Sequence, residues 1–440
     1  MSYLVINGGK KLKGAIASQP AKNAALYVLY ACLMIKGKSV LRDIPKIEEV
    51  YRTIELLKSI GVKISWQGNE LGVDASGQLN LNKIDRRACA MTRASLFLLG
   101  ALTRRANNFK VYKTGGCQLG KRTIKPHVFA LQKLGVTVES FEHYYLVKYG
   151  ALKANKIVMY ESGDTATANA IMAAVLIPGQ TVIKMASSNY MVQDLCYFLN
   201  KAGAKISGLG TTTLTIAGVK NPPAGRQGLK PVKNYAIVPD PIVSMTLLSA
   251  GIVTKSHLTI KNCPLEFLEL ELCKLEVMGQ KFKIKNKHKS PSGYFDLVDI
   301  EIFPSQLKSL PDKIYGRPFP GLNIDNLPLF VPILTQARGR TLVHDWAYEN
   351  RAVYSLELQK LGAKITLLDP HRLWVEGPVK FKPAEIIAPP ALRPAVNVLL
   401  CMLAAPGQSI LRNTYEIERG YENLYELLNQ AGAEIKIIKE

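Results

Sequence analysis

Four short stretches of this 440-residue chain set charged or polar side chains among glycines and small residues in an order that a packed core would not choose. They are Ala21-Lys22-Asn23-Ala24-Ala25-Leu26, Met91-Thr92-Arg93-Ala94-Ser95, Thr114-Gly115-Gly116-Cys117-Gln118-Leu119-Gly120-Lys121-Arg122 and Glu416-Ile417-Glu418-Arg419-Gly420-Tyr421-Glu422-Asn423-Leu424. In the third, glycines on both sides of Cys117 let the backbone carry the thiol towards a ligand, and Lys121 and Arg122 favour the thiolate. That combination suits an alkylatable thiol on a lid rather than a buried, inert cysteine. Cations set into such stretches suit the capture of small anions, because guanidinium forks match carboxylate and phosphate geometry.

The elements that must position these residues come from one repeated pattern. Six times a short amphipathic stretch ends in glycine and an alternating run follows: Leu57 to Gly61, Leu131 to Gly135, Leu199 to Gly203, a looser Val277-Met278-Gly279, Leu358 to Gly362 and Leu428 to Gly432. The glycines lie roughly 70 to 80 residues apart, too far for solenoid or propeller repeats, so each copy is a small subdomain. In the first, Val50, Ile54, Leu57 and Ile60 recur at helical spacing. Glu48 and Glu49 occupy the opening turn, and Gly61 supplies a left-handed stop. Val62 and Ile64 then alternate with Lys63 and Ser65, and Gln67-Gly68-Asn69-Glu70 offers a turn into Leu71 and Val73. The pattern predicts a helix feeding a β-hairpin, and hence an α/β fold.

At 440 residues and 48% hydrophobic content the chain can fill two cores. Asn221-Pro222-Pro223 through Pro231 divides three copies from three and is expected to be the interdomain crossing. The stretch Lys285 to Gly293 is expected to be a solvated loop in the fourth copy. Apolar runs from Asn23 to Ile35, Thr167 to Ile177 and Val396 to Ala405 are too short to span a bilayer and predict buried helices. The first residues lack a signal-peptide pattern, so a cytoplasmic protein is expected. Seven scattered cysteines without a Cys-x-x-Cys pair, and six histidines without ligand spacing, suggest neither a disulfide framework nor a metal site. A formal charge of +23 draws in anions, whether small phosphates, nucleic acid or acidic lipid.

With the six copies, the four motifs resemble the enolpyruvyl transferases from end to end, in particular the branch whose acceptor is UDP-N-acetylglucosamine. Asp325 ahead of Tyr348-Glu349-Asn350-Arg351, and the final Arg419-Gly420-Tyr421-Glu422, follow the family order. The resemblance implies two inverse α/β barrels of three βαβαββ units each, one from 22 to 230 and one from 1 to 21 with 231 to 440, with the active site in the cleft between them. It implies transfer of enolpyruvyl from phosphoenolpyruvate to a sugar hydroxyl, with no metal or redox cofactor. Lys22, Arg93, Arg122, Arg393 and Arg419 would hold the donor, with Arg351 nearby. Cys117 would act in proton transfer and product release, Asp325 would accept the hydroxyl proton, and Asn23 would contact the acceptor.

The chain departs from the family pattern at Thr123-Ile124-Lys125-Pro126-His127, where an acidic contact becomes Lys125, and at Ser188 to Asp194. It departs again at Asp240-Pro241-Ile242-Val243 and at Ala391 before Leu392-Arg393. All bear on the acceptor rather than the donor. Two other readings therefore stay open: a related transferase with a different acceptor, and a relative acting on RNA ends like the RNA 3′-terminal phosphate cyclases. The leading reading predicts a monomer that binds small molecules, without nucleic acid or membrane insertion.

Overall fold

The computed structural model describes residues 2–113, 123–219 and 228–439. Two compact units emerge among the described residues, one running from Pro20 to Val238, the other joining the residues up to Gln19 to those from Pro239 onward. The change of unit falls at Val238 and not in the Pro/Gly-rich stretch expected to carry it. Beyond that stretch Val232 exchanges hydrogen bonds with Val40 and Ser39, and Tyr235–Ala236 pairs in parallel with Lys38–Arg42, so the chain is still bound to the first unit. Loop composition marks where a chain turns; backbone pairing decides where a domain ends.

The structure is mixed α/β, with six sheets among the described residues. Five have four strands in a shared pattern. In one, Lys156–Val158 runs parallel to Gly179–Lys184, which pairs antiparallel with Thr213–Gly218, which pairs antiparallel with Lys205–Ser207. Ile314–Tyr315, Gly339–His344, Arg372–Gly377 and Lys364–Asp369 repeat that order. In another copy the third place is taken by the chain's first strand, Ser2–Gly8, between Gly407–Arg412 and Ile435–Lys439. The sixth sheet, Asn108–Tyr112, Tyr144–Tyr149 and Val136–Ser140, has three strands.

The helix-to-strand junction explains why the copies share residues. Helix α1 spans Lys22–Ala31 and α2 spans Glu48–Ser59; α2 buries Val50, Ile54, Leu56 and Leu57. After it Gly61 takes φ +99°, and the N–H of Val62 reaches back to the Leu57 carbonyl at 3.1 Å. This is the six-to-one bond of a glycine-ended helix, which caps a carbonyl the helix cannot satisfy itself. The same bond joins Ala204 to Leu199, Gln280 to Leu275, Ala363 to Leu358 and Ala433 to Leu428, and all six repeat glycines have positive φ. In two copies an amide side chain adds a clasp, with Asn200 bonding the N–H and C=O of Ile206 and Asn429 those of Ile435. In the fifth copy the segment before the glycine, Ala352–Leu361, is 3₁₀ rather than α-helical.

Further helices are α3 (Lys125–Gln132), α4 (Asp164–Val175), α5 (Tyr190–Lys201), α6 (Pro241–Val253), α7 (Glu269–Val277) and α8 (Leu392–Ala404). Those expected to be buried are so, and α6 is buried along its whole length with Asp240 capping Ile242 N–H at 2.8 Å. A helix apolar on every side belongs in a core. Among the described residues no helix is long and apolar enough to cross a membrane.

The expected loop from Lys285 to Gly293 is instead the end of an edge strand, Phe282–Lys289, followed by a turn at Ser290 to Gly293. Lysines hide the strand in the sequence because both of its faces are wet. Lys285 pairs with Glu301 at 2.6 Å and Lys289 with Asp296 at 2.8 Å on the neighbouring strand. Charged edge strands of this kind resist pairing with other chains.

Two buried titratable groups brace the first unit. Asp194 on α5 accepts from Tyr235 Oη at 2.6 Å and from Val238 N at 3.3 Å, and burial raises its pKa to about 7. His127 on α3 has Nδ1 facing Asn169 Nδ2 at 2.9 Å. Asn169 Oδ1 accepts from Gly100 N, so its amide is the donor and Nδ1 carries no proton. Nε2–H is left for Thr165 Oγ1 at 3.3 Å, and burial followed by nearby Arg93 lowers the imidazole pKa to about 3.

Because folded Asp194 holds its proton more tightly than the unfolded group does at its ordinary 3.8, its contribution is fullest at low pH and is lost as pH rises through about 7. Thermal melts of Asp194→Asn against wild type are expected to shift in favour of the variant between pH 5 and about 8; a pH-independent difference contradicts the assignment. Nitrogen NMR of His127 is expected to show the Nε2–H tautomer with no titration from about pH 5 to 8; a midpoint inside that range contradicts it.

Candidate functional site

One carboxylate links the segments of two cations predicted in the first unit. Lys22 opens α1. Its Nζ lies 2.5 Å from Glu49 Oε2, and Thr92 Oγ1 approaches Glu49 Oε1 at 3.5 Å. Thr92 is the residue before Arg93, and it caps the short turn that carries Arg93 by accepting from Ala94 N at 3.2 Å. Arg93 Nη2 donates to the Thr123 carbonyl at 3.0 Å. Glu49 thus bridges the segments of two predicted cations. The sequence marks it only as an acidic residue in a helix's first turn, a position that also explains itself through the dipole.

Beside Lys22, Asn23 Nδ2 donates to Tyr190 Oη at 3.3 Å. The neighbouring polar groups form a continuous set: Asn189 caps α5, Ser187 Oγ donates to Asp164 Oδ1 at 2.5 Å, and Asn189 Nδ2 donates to Asp164 Oδ2 at 3.3 Å. Asp164 opens α4. These residues fall in the Ser188 to Asp194 stretch, or beside it, where the chain departs from the family pattern. Cys117 and Arg122 lie outside the described residues.

In the second unit Asp325 sits on the short loop Asn323 to Asn326, and its side chain is 29% exposed. The loop is held at both ends. Glu271 on α7, 2% exposed, accepts from Asn323 N at 3.2 Å and from Asn326 Nδ2 at 2.8 Å. Burial raises its pKa, and the bond from Asn326 opposes the shift. Asn323 Oδ1 accepts from Asp325 N at 2.9 Å, which closes a local turn. On the other side Arg351 Nη2 donates to the Ile324 carbonyl at 2.7 Å, and Nη1 lies 3.3 Å from Asp325 Oδ1.

Arg351 itself is buried at 2% exposure, with its fork on Asp345 at 2.5 and 2.8 Å and its guanidinium 4.1 Å above the Tyr348 ring. Burial works against its charge, but Asp345 and then Tyr348 and Asp325 more than offset it, so the guanidinium is held charged more firmly than usual. As placed, it pins the loop that carries Asp325 instead of offering its donors to a ligand. Neither Asp345 nor Glu271 is recognisable in the sequence, because an isolated acid in a strand end or a helix looks like surface charge.

Arg393, at the second position of α8, donates through Nη1 to Tyr421 Oη at 2.8 Å. Since a guanidinium only donates, the Tyr421 proton points to Thr246 Oγ1 at 2.7 Å, whose own proton goes to the Ile242 carbonyl at 2.8 Å. Tyr421 also feels the charge of Asp325, so Arg393 and Asp325 share one neighbourhood. Arg419 lies two residues before Tyr421 and contacts Glu416 at 2.9 Å without hydrogen-bond alignment. Each of these described cations is therefore held by a partner within its own unit.

The chain is similar over its whole length to known proteins. The profile of the EPSP synthase (3-phosphoshikimate 1-carboxyvinyltransferase) family matches residues 6–428. UDP-N-acetylglucosamine 1-carboxyvinyltransferase 2 of Caldanaerobacter subterraneus is 34% identical over 435 residues, covering 99% of both chains. The UDP-N-acetylglucosamine 1-carboxyvinyltransferase of Coxiella burnetii is 34% identical over 438 residues, covering 99% of this chain and 96% of its own. Among solved structures, the enolpyruvyl transferase NikO from Streptomyces tendae superposes with a TM-score of 0.85 at 23% identity, covering 100% of this chain and 99% of its own. EPSP synthase from Acinetobacter baumannii superposes with a TM-score of 0.73 at 18% identity over 100% of both chains. With a profile match over nearly its whole length and full-length relatives at 34% identity, the chain belongs to the EPSP synthase family of enolpyruvyl transferases.

Proposed function

We propose that this protein transfers the enolpyruvyl group of phosphoenolpyruvate to the 3′-hydroxyl of UDP-N-acetylglucosamine and releases phosphate, the first committed step of peptidoglycan precursor synthesis. The observation that carries this reading is the full-length likeness to transferases named for that acceptor. The two units are read as inverse α/β barrels of three βαβαββ elements each, an interpretation supported by the five sheets of one strand pattern.

The reaction follows by addition and elimination. The acceptor oxygen bonds to C2 of phosphoenolpyruvate as its proton leaves to Asp325, and a proton is delivered to C3, giving a tetrahedral phosphoketal. Loss of a C3 proton with the C2–O bond to phosphate then restores the double bond and frees phosphate. Asp325 suits the first step because it is half-exposed and held in position by its loop, as a general base requires. Lys22, Arg93, Arg122, Arg393 and Arg419 would bind the donor's carboxylate and phosphate. Their own partners already orient those in the described residues, so little reorganisation is needed as charge moves. Cys117 would take part in proton transfer to the donor and in product release. Asn23 would bind the acceptor sugar.

Phosphate release from phosphoenolpyruvate, measured with UDP-N-acetylglucosamine and with a panel of other hydroxyl acceptors, tests the reading. Turnover is expected with the nucleotide sugar and not with shikimate 3-phosphate; turnover confined to another acceptor would establish the different-acceptor reading. Asp325→Asn is expected to lower kcat by about 10²- to 10⁴-fold, the range for a lost general base. Cys117→Ala is expected to abolish alkylation by fosfomycin, and retained sensitivity would remove that thiol from the site.

A further inference from the structure

Three charged groups meet at the Asp325 loop, and only one pairing can be tight. Arg351 and Asp345 are almost fully buried, at 2% and 4% exposure, whereas Asp325 reaches solvent. A buried guanidinium needs a buried counter-charge. Asp345 supplies it through a two-point fork, Nε to Oδ2 at 2.5 Å and Nη2 to Oδ1 at 2.8 Å. With that edge taken, Arg351 meets the loop by Nη2 on the Ile324 carbonyl at 2.7 Å and by one long contact from Nη1 to Asp325 at 3.3 Å. A carboxylate locked in a two-point guanidinium pair is stabilised in its charged form and is a poor proton acceptor. One that the guanidinium meets at a single oxygen is oriented by it without being locked.

We propose that Asp345 is a positioning residue for the reaction: by occupying the fork of Arg351 it holds the guanidinium at the loop backbone and keeps it from capturing Asp325. The inference rests on the reading of Asp325 as the base. Asp345 touches no reacting atom in this scheme and acts only through Arg351. When the counter-charge is removed, the nearest carboxylate left to the buried cation among the described residues is Asp325 itself. The base then closes onto Arg351, and proton removal slows while the substrates still bind.

The test is steady-state phosphate release from phosphoenolpyruvate and UDP-N-acetylglucosamine by purified full-length variants. Asp345→Asn, which keeps the shape of the side chain, is expected to lower kcat by about 10- to 100-fold with both KM values within about threefold of wild type. Arg351→Met alone is also expected to lower kcat, but added to Asp345→Asn it is expected to raise kcat, because it removes the cation that traps the base. A structural role for the pair predicts losses that multiply, and that result overturns the proposal. If Asp345→Asn does not fold, the comparison moves to Arg351→Met with and without Asp345→Asn. Equal kcat supports action through Arg351 alone, and unequal kcat overturns it. Wild-type turnover keeps the two readings apart. Its absence removes the proposed function, whereas wild-type turnover with an unimpaired Asp345→Asn removes only this inference.

Discussion

A helix that must stop and turn at once into a strand leaves a carbonyl with no partner, and this chain meets that need in the same way along its length. The leucine carbonyl near the helix end takes the N–H that follows a left-handed glycine, as at Leu57 with Val62 and Leu428 with Ala433. Only glycine holds that backbone conformation without strain, so the residue recurs where the turn recurs. The direction in which each sheet leaves its helix is set there. The loop that carries Asp325 and the short helix Tyr415–Gly420 that carries Arg419 inherit their positions from those exits.

The electrostatics follow from the same economy of local bonds. A cleft for a small, highly charged anion needs cations that stay in place before the anion arrives, because a lysine or arginine free to move loses rotamer entropy on binding. Here each described cation is held by a neighbour of its own unit: Lys22 by Glu49, Arg93 by the Thr123 carbonyl, Arg393 by Tyr421, Arg419 by Glu416. The holding groups differ in strength. A carboxylate partner lowers the net charge offered to a ligand, whereas a carbonyl or phenol leaves it whole. Lys22 and Arg419 therefore present charge that a ligand must share with Glu49 and Glu416.

Much of this architecture is legible in the sequence because it is local. Gly61 and its counterparts declare the helix ends, the alternation after them declares strands, and Asn23 to Ile35 reads as a buried helix from its apolar content alone. The strand Phe282–Lys289 is not legible, since an edge strand wet on both faces has no apolar alternation to show. Nor is the boundary at Val238, which depends on Tyr235–Ala236 pairing with a strand nearly two hundred residues earlier. The roles of Glu49, Glu271 and Asp345 are hidden for a common reason. Glu49 and Glu271 take their meaning from partners distant in the chain, Lys22 and Asn326, and Asp345 from Arg351 six residues on at no helical spacing; single-residue chemistry carries no record of such partners.

Burying an ion pair seldom adds stability over an apolar pair of the same volume, and breaking one by removing a partner costs about 3–5 kcal/mol. The second unit nonetheless places Glu271, Asp345 and Arg351 in its interior, Glu271 and Arg351 bonded to one four-residue loop and Asp345 to Arg351. Apolar packing could hold such a loop near its place, but it cannot fix the direction of a carboxylate. Hydrogen bonds to the Asn323 N–H, the Ile324 carbonyl and the Asn326 side chain can, because each specifies an angle as well as a distance. A base that must meet a hydroxyl proton within a fraction of an ångström needs that kind of support. The unfavourable burial of charge is thus explained by geometry at Asp325 and not by stability. The same reasoning accounts for Arg351 being closed to solvent: a guanidinium open to water would be free to follow the ligand, and the loop would follow it.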